Sequence, residues 1–338
     1  MDAARPLTVQ YTARISLLLG GVLLLSVLAG LSVGAYDITF SDLLKLLQPW
    51  SDDGGVDHTA RSVFTEIRLP RVLLALLVGG GLAVAGVVFQ VLLRNVLADP
   101  YILGVSGGAS VGALTAIATG VSGVFLLAQP LLAFVGALAV VMLVYRFGAT
   151  RTTGDNTLIL SGVMIGAFLS AVILTLVTTM DRPVRNALFW LVGYLGNATL
   201  LEVVILIPIV FPLVLLILLF AGRMNILALG SEAAGHLGVS VRATRGVLYA
   251  AASLLTAAVV SFSGAIGFVG LIVPHICRRV FGPDHRLLLP AAFFTGASFL
   301  IISDIIARSV IAPSELPVGA VTAALGAPVF LYILRRKT

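Results

Sequence analysis

The chain is poor in charge and nearly devoid of sulfur nucleophiles. Asp, Glu, Lys and Arg make up 11% of its 338 residues, against about 25% in soluble domains. Hydrophobic residues make up 59% and mean hydropathy is +1.11, so a water-soluble fold is excluded and a polytopic membrane protein is implied. A single cysteine, Cys277, excludes an internal disulfide and a cysteine-based metal site. With two lysines, Lys45 and Lys337, and no GxxxxGK[ST] segment, the chain has no complete phosphate loop for ATP. His58, His236, His275 and His285 are scattered and offer no metal-ligand spacing. An ion-coupled carrier keeps carboxylates or histidines within its spans. Here Asp99, Asp155, Glu202, Asp304 and Glu315 fall at or near the ends of apolar runs, which leaves His275 as the deepest ionisable residue. No HExxH motif occurs, and no paired serine and histidine is recognisable, so an intramembrane enzyme has no support.

What the chain has is apolar length. Ten runs read as helices: 15–35, 69–93, 100–119, 124–145, 157–179, 200–221, 246–263, 266–281, 287–307 and 317–334. The first follows Arg5 and Arg14, and it exceeds the 7–15 residues of a signal-peptide core, so a retained helix is expected. Ser261, Ser263, Gly264 and Gly267 predict a turn between runs seven and eight. With ten spans and the N-terminus inside, inner segments hold 14 of the 21 basic residues but 5 of the 15 acids. Both termini are then cytoplasmic by the positive-inside rule. The net charge of +6 thus reflects topology and gives no support to nucleic-acid binding. The expected fold is an all-α transmembrane bundle of about ten spans, one domain over residues 1–338.

Two connections are long. The outer one, 36–66, contains TFSDLLKLLQPW, where Ser41 can cap a short helix and Trp50 can rest at the membrane interface. The inner one, 222–245, reads GRMNILALGSEAAGHLGVSVRATR. Within it Ser231 can cap Glu232-Ala233-Ala234, Gly235 and Gly238 permit bends, and Leu237 and Val239 are apolar enough to fill a groove. Gly104, Gly108 and Gly112 form a stripe four apart, with Gly162 and Gly166 similar on the fifth run. Such stripes let helix backbones approach closely in lipid. Between runs two and three, Arg94 to Pro100 is a hinge in which Asp99 caps the next helix and Pro100 takes its first position.

RLPRVLLALLVGGGLAVAGVVFQVLLRNVLADPYILGVSGGASVGA closely resembles the signature of the FecCD-like permeases, as do ALGSEAAGHLGVSV, SGAIGFVGLIVPHICRR and ELPVGAVTAALGAPVF. These are membrane subunits of ABC importers for ferric siderophores, haem and vitamin B12. The resemblance runs from Arg68 to the C-terminus. It implies the type II ABC importer permease fold in the cytoplasmic (inner) membrane, with no enzymatic activity. It further implies a second copy of the chain, with the translocation path between the two copies. The other implied partners are two ABC ATPase subunits, which bind ATP and Mg, and a periplasmic or lipid-anchored substrate-binding protein. Membrane lipid surrounds the assembly, and no cofactor or metal is expected on the chain itself. Ferric siderophore is the default substrate, with cobalamin and haem behind it.

Residue by residue, the resemblance assigns ATPase coupling to Ala228, Leu229, Gly230, Ser231, Glu232, Gly235, Leu237 and Gly238. It assigns an inner gate to Asn95 and Leu97, and a second gate position to Asp155 and Asn156. The family pattern has proline where this chain has Val96, which predicts a less kinked hinge. Arg68, Arg71 and Arg308 lie on the face where the positive-inside rule disfavours basic residues. The resemblance makes them exposed contacts for glutamates of the binding protein, a role suited to arginine's planar fork.

Overall fold

The computed structural model describes residues 9–34, 36, 42, 45–46, 57–148, 155–180 and 184–335, without the side chains of 9, 155–159 and 333–334. Ser41 and Trp50 lie outside the described residues. In lipid every backbone polar group must be satisfied internally, and an open chain achieves this by forming helices. All ten apolar runs are helical. Among the described residues seven helices are long and apolar enough to cross a membrane: α1 (Gln10–Ser32), α2 (His58–Leu92), α4 (Ala128–Phe147), α5 (Leu160–Thr179), α7 (Leu200–Leu219), α10 (Val241–Ser263) and α12 (His285–Ser309). The other three runs give shorter helices, α3 (Val105–Ala118), α11 (Val269–Phe281) and α13 (Val318–Arg335). Between these lie α6 (Val184–Val192), α8 (Ala221–Ala228) and α9 (Ser231–His236).

Helix α2 is the axis of the bundle. Its 35 residues extend about 52 Å at 1.5 Å per residue, well beyond the ~30 Å hydrocarbon core. Of its most apolar window, 89% is buried, against 11% for α5 on the periphery. Glycine makes this central position possible. A Cβ on Gly79 would strike the Gly296 carbonyl of α12, one on Gly86 the Gly270 carbonyl of α11, and one on Gly80 the Phe293 ring. Backbones in contact gain dispersion energy where lipid supplies no hydrophobic drive.

A second close contact joins α3 to α4. A Cβ on Gly108 would meet the Gly136 carbonyl, and one on Gly112 the Leu132 carbonyl. Gly104, which lies close to Val140 and Gly162, has a further task. Its φ of +72° ends the 3-10 turn Pro100–Leu103 and starts α3, so the predicted run 100–119 is broken there. Gly162 lies against the Ile102 carbonyl, whereas Gly166 has open space beside it. The predicted turn after α10 forms at Gly264, which has φ +70°, while Ser261 and Ser263 remain helical.

Candidate functional site

Chemistry gathers at the two ends of the bundle. At one end α1 finishes with carbonyls that lack helical partners. Arg68 donates Nη1–H to the Leu31 carbonyl at 2.8 Å and the Ser32 carbonyl at 2.6 Å, and Nη2–H to the Tyr36 carbonyl. Arg308 Nη2 donates to the Gly30 carbonyl. Two cations therefore sit where the α1 dipole is negative. Beside them Arg71 holds two carboxylates at once. Its Nε donates to both Asp304 oxygens at 2.9 Å and its Nη1 to both Glu315 oxygens at 2.9 Å. Asp304 also lies 3.7 Å from Arg308 Nε, one helical turn away. The Tyr194 hydroxyl donates to Glu315 at 3.0 Å, and the Arg71 guanidinium lies 5.9 Å from its ring centroid.

Two expectations are corrected here. Arg68, Arg71 and Arg308 were expected to face solvent, but they are 2%, 2% and 6% exposed. The chain's own carboxylates and α1 carbonyls draw all three inward. Asp304 lies near the end of α12 as expected, but His275, expected to be the deepest ionisable group, is half-buried while Asp304 is 1% exposed. It is buried because Arg71 accompanies it. Of the carboxylates in this cluster, Glu315 reaches water, at 31% side-chain exposure.

At the other end the chain turns sharply after α2. Arg94 takes a left-handed φ of +46°, the Asn95 side chain accepts the Leu97 N–H at 2.9 Å, and Asp99 accepts the Tyr101 N–H at 2.8 Å. These side-chain turns close the hinge that carries Val96 where the family pattern has proline. Val96 and Leu97 are 39% and 41% exposed. Tyr101 anchors the returning chain, since its hydroxyl donates to the Ile266 carbonyl and accepts the Ile266 N–H, both at 3.0 Å. Asp155 and Asn156 begin the helical segment that continues as α5, but their side chains lie outside the described residues.

The α8–α9 segment projects from this end. Ser231 does not cap α9: Gly230, with φ +124°, occupies the N-cap, and no side chain caps there. Ser231 is the first helical residue, and its hydroxyl accepts from Arg94 at 2.6 Å. Arg245 donates to the Leu92 carbonyl at 2.7 Å, and Asn225 donates to Asp284 at 2.8 Å. These bonds fix a protrusion whose Leu229 and Leu237 are 70% and 60% exposed. Gly238 turns the chain out of α9 at φ +76°, while Gly235 has open space beside it. Glu232 and Ala228 flank the same surface within α9 and α8.

Sequence reasoning missed α6 and what it helps to build. Nine residues with Arg185 and Asn186 in the first turn carry too weak an apolar signal.

Known proteins share both the sequence and the fold. Over 285 residues the chain is 48% identical to the cobalamin import system permease protein BtuC of Halobacterium salinarum, covering 84% of this chain and 76% of that one. It is 37% identical over 329 residues to the hemin transport system permease protein HmuU of Yersinia pestis, covering 95% and 96%. A solved chain from an ABC transporter assigned to the metal-chelate type, in an inward-facing conformation, superposes with a TM-score of 0.84 at 29% identity. That match covers 96% of this chain and 99% of the other. The model of the FecCD transport family matches residues 22–336, and the chain belongs to that family.

Proposed function

We propose that the chain is the membrane permease of an ABC importer for a bulky metal chelate, and that the chelate is cobalamin. The α8–α9 protrusion carries the mechanistic half of this reading. A rigid, hydrogen-bonded pair of short helices with Leu229 and Leu237 outward is a poor solvated loop and a good plug for a partner's cleft. The partner is an ABC ATPase, two copies of which serve a permease dimer. ATP and Mg bind there, since this chain has no phosphate loop. The Arg94 end then faces the cytoplasm with both termini, as the arginine distribution favours. The Arg71 end receives the substrate-binding protein. Arg68, Arg71 and Arg308 serve that docking by fixing the end of α1 to α2 and α12, with Glu315 nearest to solvent.

Cobalamin replaces ferric siderophore as the leading substrate because the relative at 48% identity is a cobalamin permease. Haem follows, supported by HmuU at 37%. Neither ligand is a stripped ion, which fits a bundle held by close glycine contacts.

The test reconstitutes the chain with its ATPase and binding protein in liposomes. Uptake of labelled cobalamin should require all three components, and Leu237→Glu should abolish uptake while ATP hydrolysis continues and assembly in the membrane is unchanged. Uptake by the permease alone, driven by a proton or sodium gradient, would overturn the importer reading. Uptake of a ferric siderophore or haem in place of cobalamin would overturn the substrate.

A further inference from the structure

A cavity of about 400 Å³ opens at the Arg71 end, between α6, the α3–α4 connection and the starts of α4 and α7. Its lining is mixed: Arg185, Asn186, Gln129 and Asn197 stand with Phe189 and Trp190. A second hollow of about 150 Å³ begins where the first ends, since Pro130, Ser261 and Phe262 line both. This second hollow is wholly apolar and runs down α4 and α7 past Leu131, Phe134 and Ile209. Ile209 lies nine residues into α7, about 14 Å along the axis. That is roughly half the thickness of a bilayer core.

Charge and surroundings indicate what fits. Arg185 stacks 5.4 Å from the Phe189 ring centroid and makes no ion pair among the described residues. The lining carboxylate, Glu202, is engaged in its own helix cap, accepting the Thr199 N–H at 3.0 Å. The chamber thus presents the Arg185 guanidinium beside a carboxylate already held by the start of α7. The neighbouring connection exposes Val124 at 91%, with Phe125 and Leu126 also exposed. An apolar tip of this kind suits the boundary between headgroups and hydrocarbon better than open water. A polar chamber with an arginine at headgroup level, continued by an apolar groove at chain level, has the amphipathic profile of a lipid.

We propose that this continuous surface holds one phosphate-bearing membrane lipid, its phosphate at Arg185 and one hydrocarbon chain in the groove between α4, α7 and α10. The proposal rests on the chain being a membrane permease but on no particular substrate. Because Tyr194 lines the chamber and donates to Glu315, the lipid sits one side chain away from the ionic cluster.

The test is native mass spectrometry of the purified chain in detergent, incubated with phosphatidylglycerol. One lipid per chain should survive detergent stripping. Arg185→Ala should lower the retained fraction about tenfold, the worth of a charge-assisted hydrogen bond. Ile209→Trp, which fills the groove, should lower it to a similar degree. Inorganic phosphate and glycerol phosphate should not compete. Equal retention in the wild type and both variants would mean a general lipid belt and overturn the site. Competition by inorganic phosphate would mean a free-anion site, and a loss confined to Arg185→Ala would remove the groove from it. A well-folded chain that retains no lipid also overturns the proposal, while leaving the importer reading to be judged by uptake.

Discussion

Replacing Arg71 with leucine removes the group that holds two carboxylates, and the consequence differs for each. Asp304 has 2% side-chain exposure, so without Arg71 its charge is left in the protein interior. Removing one partner of a buried pair costs about 3–5 kcal/mol, because the remaining charge has no solvation. Glu315 has 31% exposure, so water replaces much of what it loses, and its share is about 1 kcal/mol or less. Arg308 lies 3.7 Å from Asp304 and offsets part of the loss. The expected destabilisation is therefore about 3–5 kcal/mol for Arg71→Leu, nearly all of it through Asp304. Asp304→Leu should cost a comparable amount. The double variant should recover most of the loss, since it buries no lone charge. A double-mutant cycle by chemical denaturation in detergent micelles measures this directly. A coupling energy below about 1 kcal/mol, or an equal cost for Glu315→Gln and Asp304→Asn, would refute the assignment of Asp304 as the buried partner.

Other expectations follow from named contacts. Gly112→Val places a branched side chain against the Leu132 carbonyl and should destabilise the chain by about 1–3 kcal/mol or more. Gly123→Ala, where nothing lies within 4 Å, should be near neutral in the same melting experiment. Arg308→Glu sets a second carboxylate beside Asp304 and withdraws a donor from the Gly30 carbonyl. It should reduce the yield of folded permease on size-exclusion chromatography, and a normal yield with normal basal ATPase in the assembled transporter would restore the arginine to a purely external docking role.

The bundle was legible in the sequence because lipid imposes a simple rule, and each of the ten apolar runs obeys it. The Asp99 cap was legible as well, since Asp-Pro at a helix start has a local cause. The burial of the three arginines was not. Arg71 and Asp304 are 233 residues apart, and no local pattern announces that α2 and α12 bring them together. Gly104 was read only in part: it lies close to Val140 and Gly162, as a packing glycine does, but it also takes a positive φ that four-residue spacing does not reveal. Ser231 was misread as a cap because Gly230 beside it does that work without a side chain. The lipid-shaped hollow draws on α3, α4, α6, α7 and α10, so no segment of the chain carries its signature.

The glycine seams around α2 also have a mechanical meaning. Side chains can change rotamer and absorb a displacement, whereas backbone pressed against backbone has no such slack. With Gly79 against Gly296 and Gly86 against Gly270, helices α2, α11 and α12 are meshed at two depths of the membrane. A displacement of any one of the three is therefore passed to the other two with little slack. Peripheral α5 differs: Gly162 lies against the Ile102 carbonyl, but Gly166 has open space beside it. The centre of the molecule therefore has to move as one piece or not at all.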